Sequence, residues 1–162
     1  MMKPLVLVSV MISLAAGTIS AQAQLVEKTA LTLDGAKKVA AAAEQKARAE
    51  GARVVIAVVD EGGSLLLLER LDDTQVASVN VGIDKARTAA IYRRPSKAFE
   101  DQVRNGRVSA LALHGAVALQ GGVPIIIEGK VIGAIGVSGE TPTQDEEIAI
   151  AGASVATSFM KP

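Results

Sequence analysis

His114 is the only histidine in 162 residues, and cysteine is absent. An imidazole can act as an axial ligand to a metal or a heme iron, or as a general base. It can equally be a loop residue whose ring bonds to the main chain. A hydrolytic triad would need an activated serine, and neither Ser109 nor Ser138 sits in a nucleophile elbow. A lone histidine excludes multi-histidine metal sites. The missing thiols exclude iron–sulfur clusters, cysteine zinc sites, thiolate catalysis and covalent c-type heme attachment.

The other polar groups allow two readings each. Lys85, Arg87, Arg93 and Arg94 form one basic cluster. At the end of a helix they would complement its dipole, and together they could clamp a propionate, carboxylate or phosphate. Gly121-Gly122 precedes Val123-Pro124 at the start of a predicted strand. It is either a tight turn needing positive φ or a place where backbone N–H groups approach an anion. Gly133 and Gly136 lie inside a strand, which glycine weakens; a helix, a second subunit or a flat ligand must pack directly on them. The spacing Gly133, Gly136, Gly139 is not a dinucleotide fingerprint, because it does not open a helix. Asp60 ends the first core strand, and Asp145, Glu146 and Glu147 read as ordinary first-turn acids of the last helix.

The elements that must position these groups alternate helices with hairpins. Thr32 to Gly51 reads as a helix with Thr32 as N-cap and an alanine-rich apolar stripe. "RVVIAVVD" (Arg53 to Asp60) is a strand covered on both faces, and "EGGS" turns it back into Leu65 to Leu71. Gln75 to Tyr92 is a second helix, and Ser96 caps a short third one over Lys97 to Arg104. Ser109 to Gln120 is expected to be loop and a short strand. Val123 to Glu128 and Val131 to Ser138 form a second hairpin. Thr143 and Glu146 form a capping box for the final helix. Hairpins without βαβ crossovers imply an α+β domain, with an antiparallel sheet of about five strands flanked by helices.

Met1 to Ala23 reads as a signal peptide: Lys3, then an apolar run from Leu5 to Ala16, then Ala21-Gln22-Ala23. That run is shorter than the ~20 residues of a membrane span. Cleavage after Ala23 would leave residues 24–162 as one domain without a membrane span, in a periplasmic or secreted protein. The chain has 17 basic and 17 acidic residues and 2% aromatics, so it lacks both the basic surplus and the stacking platforms that nucleic acid needs.

Four blocks carry a resemblance: "RVVIAVVDEGGSLLLLERLDDT", "GIDKARTAAIYRRPS", "GGVPIIIEGKVIGAIGVSG" and "TQDEEIAIAGA". In order and spacing, from about Leu31 to Ala153, they resemble the GlcG/HbpS-like heme-binding family, which includes the C-terminal domain of PduO-type proteins. The resemblance implies a profilin-like α+β domain, homo-oligomers and, in several members, bound heme. Where a PduO-type member offers a histidine in the first helix, this chain has "TLDGAKKVAAAAEQKARAEG". The ligands left are His114, Tyr92 and the methionines, Met160 among them. The reading that follows is an exported heme-binding, sensing or scavenging protein. His114 would meet the iron; Lys85, Arg87 or Arg93 would meet the propionates; Gly121, Gly122 and Ser138 would line the pocket. The alternatives are an enzyme or accessory protein acting on a small carboxylate, and an oligomeric interaction module without a ligand.

Overall fold

The computed structural model describes residues 26–159. The predicted leader, residues 1–23, and Met160 lie outside the described residues. The elements run α1 (Leu33–Ala49), β1 (Val55–Asp60), β2 (Leu65–Arg70), α2 (Ser78–Ile91), α3 (Lys97–Arg104), a 3-10 helix (Val108–Ala112), β3 (Gly122–Ile127), β4 (Lys130–Ser138), α4 (Pro142–Ser154) and a closing 3-10 turn (Val155–Ser158). The strands form one antiparallel sheet in the order β2-β1-β4-β3.

The sheet is covered on both faces, as the unbroken apolar run of β1 requires. Val54, Ile56 and Val58 face α1 and α4, where Val39, Ala43, Ile148 and Ala149 complete a core that mixes branched aliphatic groups with alanines. Ala57, Val59 and Ala134 face α2 through Ala86, Ala89 and Ala90. Side chains this small let α2 lie close to the sheet. At Gly136 the backbones nearly touch, since a Cβ there would overlap the Gly82 carbonyl and come within 2.5 Å of the Ala86 nitrogen. The occupant that Gly136 makes room for is therefore a helix of the same chain, whereas a Cβ on Gly133 would meet the Val59 carbonyl and the Leu31 side chain.

The sheet has four strands, one fewer than expected. Ser109 to Gln120 forms no strand, because side chains of α2, α3 and the turn between them take up its main-chain groups. Tyr92 Oη donates to the His114 carbonyl, and the Val117 N–H donates to Thr88 Oγ1. Ser96 Oγ donates to the Leu119 carbonyl, and the Gln120 N–H donates to Glu100 Oε2.

Thr32 caps α1 as expected, accepting from the Gly35 N–H at 3.1 Å. Two other caps differ. Thr141, not Thr143, caps α4, accepting from the Gln144 N–H at 3.3 Å. Pro142 is the reason: with no N–H and φ already helical, it favours the first helical position and moves the cap one residue before itself. Ser96 makes no side-chain cap for α3, because its hydroxyl is held by the segment around Gly122.

Candidate functional site

The structure divides the sequence-predicted site residues into two groups, both served by α2. Lys85, Gly121, Gly122 and Ser138 lie in a buried knot against the middle of the helix. Arg87, Arg93 and His114 lie toward its C-terminal end.

In the knot, Lys85 falls on the buried face of α2 with Gly82, Ala86 and Ala89. Its ammonium lies 2.7 Å from Asp145 Oδ2 and donates to the Val137 carbonyl at 2.9 Å. The two side chains are only 5% and 3% exposed. Asp145 Oδ1 accepts from the Glu140 N–H at 3.0 Å. Burial pushes the Asp145 carboxyl above its ordinary range, while Lys85 and the Glu140 and Gly139 N–H groups pull the other way.

Gly121 and Gly122 make room for this knot. Gly121 has φ +120, and a Cβ on it would stand 2.9 Å from the Lys85 ammonium nitrogen and 2.8 Å from the Val137 carbonyl. A Cβ on Gly122 would overlap the Lys85 carbonyl. The Gly122 N–H donates to Ser96 Oγ at 2.8 Å, and the Gly122 carbonyl accepts from the Ser96 N–H at 2.9 Å. Ser138 is buried at the end of β4, opposite Val55. Lys85, Gly121 and Gly122 spend their polar atoms and free space within the fold, and Ser138 is buried.

At the end of α2 two polar groups, Arg93 and His114, make no side-chain hydrogen bond among the described residues. Arg93 and Arg94 are exposed, and Arg87 is half-buried, with its guanidinium 2.9 Å from Asp84 Oδ1. Arg93 has φ +53. Its N–H donates to the Ala90 carbonyl and that of Arg94 to the Ala89 carbonyl, the bond pair of a Schellman motif. The same motif ends α1 with glycine at the equivalent place, Gly51 at φ +67.

His114 is exposed on the loop after the 3-10 helix. Its carbonyl accepts from Tyr92 Oη at 2.7 Å, and among the described residues its ring makes no hydrogen bond. Tyr92 is braced edge-to-face by Phe99, with ring centroids 5.0 Å apart. Thr88 Oγ1 accepts from the Val117 N–H at 2.9 Å and fastens the loop a second time. Exposed Leu111 precedes the histidine, and exposed Ile91 lies 3.2 Å from where a Gly115 Cβ would be. This end of α2 thus carries an available imidazole, one uncommitted arginine, Arg93, and exposed aliphatic groups; Arg94 donates to the Tyr92 carbonyl and lies over the Phe99 ring.

A family model described as "Haem degrading protein HbpS-like" matches residues 31–154. The chain belongs to the HbpS-like family. Protein GlcG of Escherichia coli K12 is 41% identical over 111 residues, 68% of this chain and 83% of GlcG. A crystal structure of a double mutant of Streptomyces reticuli HbpS superposes with a TM-score of 0.76 at 33% identity, covering 87% of this chain and 97% of that one. The crystal structure of a PduOC:heme complex superposes with a TM-score of 0.71 at 25% identity, covering 78% and 94%. The four-stranded sheet with helices on both faces is therefore the HbpS-like fold.

Sequence reasoning passed over Asp145, Tyr92 as an anchor, Thr88 and the Ser96 clamp. One signal was available. Lys85 sits three residues after Gly82 and four before Ala89, on the small-residue stripe of α2. A lysine on such a stripe needs a buried acid partner. Among the described residues no group of three or more His, Asp or Glu side chains is placed to hold a metal ion. No described helix is long and apolar enough to cross a membrane.

Proposed function

We propose that this HbpS-like protein binds heme at the end of α2 and does so outside the cytoplasm. The observation that carries the reading is the His114 loop. An exposed imidazole with a free ring stands on a loop fastened at two points, with exposed Ile91 and Leu111 and the uncommitted Arg93 at the same end of α2. The residues fit the group. Heme needs a donor atom for its iron, apolar cover for the macrocycle and cations for its propionates, and when bound it would supply an iron able to take a protein ligand.

His114 would hold the iron. Arg93 would meet a propionate, with Arg87 behind it. Lys85, Gly121, Gly122 and Ser138 would act as scaffold, since their polar atoms are already partnered or buried. The family description and the heme-bound PduOC relative support the same reading.

Titration of heme into the purified mature chain tests it. Wild type is expected to give a Soret shift, His114→Ala to lose or change it, and Arg93→Ala to weaken it. No shift in wild type, or an unchanged spectrum in His114→Ala, overturns the assignment. Export to the periplasm or medium and assembly into a homo-oligomer belong to the same proposal. The expected product has Gln24 at its N-terminus and elutes above monomer size.

A further inference from the structure

We propose a second ligand site, independent of the heme reading, for an amphipathic monocarboxylate with an unbranched aliphatic tail. It lies beneath the first turn of α1, at the end of the sheet where β3 and β4 turn. A cavity of about 300 Å³ opens there, at the lower limit of the about 300–1,000 Å³ usual for small-molecule pockets. Leu31, Ile127, Ile132 and Phe159 form its apolar walls, and Gly35 and Lys38 also line it.

The glycine keeps this space open. A Cβ on Gly35 would come within 2.9 Å of Leu31 Cδ1 and 3.5 Å of Phe159 Cε2. One cation stands over the apolar wall: the Lys38 ammonium nitrogen lies 5.9 Å from the centroid of the Phe159 ring. Among the described residues, no carboxylate lies within ion-pair distance of Lys38. Asp34, also on the lining, is paired at 3.9 Å with Lys37 and is 90% exposed, pointing its charge to solvent. An apolar chamber with a single uncommitted ammonium at its mouth suits a ligand that is hydrocarbon at one end and anionic at the other. A short polar acid would have no tail to cover Leu31, Ile127, Ile132 and Phe159, although Thr29 and Thr32 also stand on the lining.

The series from butanoate to octanoate tests this by calorimetry on the mature chain, with octanol as neutral isostere and lactate as polar control. Affinity is expected to rise about fourfold per added methylene until the chamber is full. Lys38→Gln should weaken octanoate about fivefold without changing the far-ultraviolet circular dichroism. Octanol should not respond to that substitution, lactate should not bind, and Lys37→Gln should behave as wild type. Methyl resonances of Leu31, Ile127 and Ile132 should shift on binding. The proposal is overturned if no acid in the series binds, if affinity ignores chain length, if Lys38→Gln has no effect, or if these methyls stay still. Heme titration plays no part in the measurement, so the two readings fail separately.

Discussion

Lys85 and Asp145 meet as an ion pair inside the fold, 2.7 Å apart, and tie the middle of α2 to the first turn of α4. The lysine also holds the end of β4 through the Val137 carbonyl. One side chain therefore fixes the relative position of three elements, and Gly121-Gly122 packs on top of it.

Removing one partner leaves the other charge buried. Lys85→Met is expected to cost about 3–5 kcal/mol in urea unfolding. Asp145→Asn should cost less, because its amide still accepts from the Glu140 N–H. The double change Lys85→Met, Asp145→Leu should recover most of the loss, since an apolar pair of similar size carries no desolvation cost. A double variant as unstable as Lys85→Met would show that the pair holds the fold by more than charge balance.

Two glycines separate lack of space from backbone strain. Gly122→Ala would press a methyl into the Lys85 carbonyl, and it is expected to destabilise by about 3 kcal/mol. Gly129 has φ +74 with open space around it, so Gly129→Ala should cost only the left-handed backbone penalty of about 1 kcal/mol. Equal losses in thermal unfolding would mean that the helix can move away from Gly122.

The same residues show how far the sequence could be read. β1 and the two hairpins were legible because β-branched runs bounded by glycine turns leave little choice. α1 was legible from Thr32 and its alanine stripe. The segment from Ser109 to Gln120 was not, since its path is set by Tyr92, Thr88, Ser96 and Glu100, which are distant in sequence and reach it only after folding. Lys85 and Arg87, two residues apart on one helix, are expected to project at different angles, and they do. The helical turn sends one into the core and the other to the rim.

Glu69 makes stability depend on pH. Burial, and to a lesser degree nearby Glu44, push its carboxyl above the ordinary 4.5, while Arg48 opposes them. The folded state therefore holds the proton more tightly than the unfolded chain does. Its contribution is fully present below pH 4.5 and is lost as the pH rises through the folded value. Glu69→Gln should accordingly be more stable than wild type at pH 7, with the difference disappearing at pH 4. Urea midpoints at the two pH values check this, and an advantage equal at both would assign the effect to packing instead.

Arg93 occupies a left-handed backbone position, φ +53, that α1 fills with Gly51. Nothing in the folding of α2 calls for an arginine there: the two hydrogen bonds that close the helix use only main-chain atoms. Arg93→Gly is therefore expected to stabilise the protein by about 1 kcal/mol. If the guanidinium meets a heme propionate, the same change should weaken heme binding, so stability and affinity should move in opposite directions. Arg93→Asn, which tolerates the same backbone, should reproduce the loss of affinity with a smaller gain in stability. Parallel thermal unfolding and heme titration of the two variants decide the point: stabilisation with unchanged affinity would leave Arg93 with no part in the site.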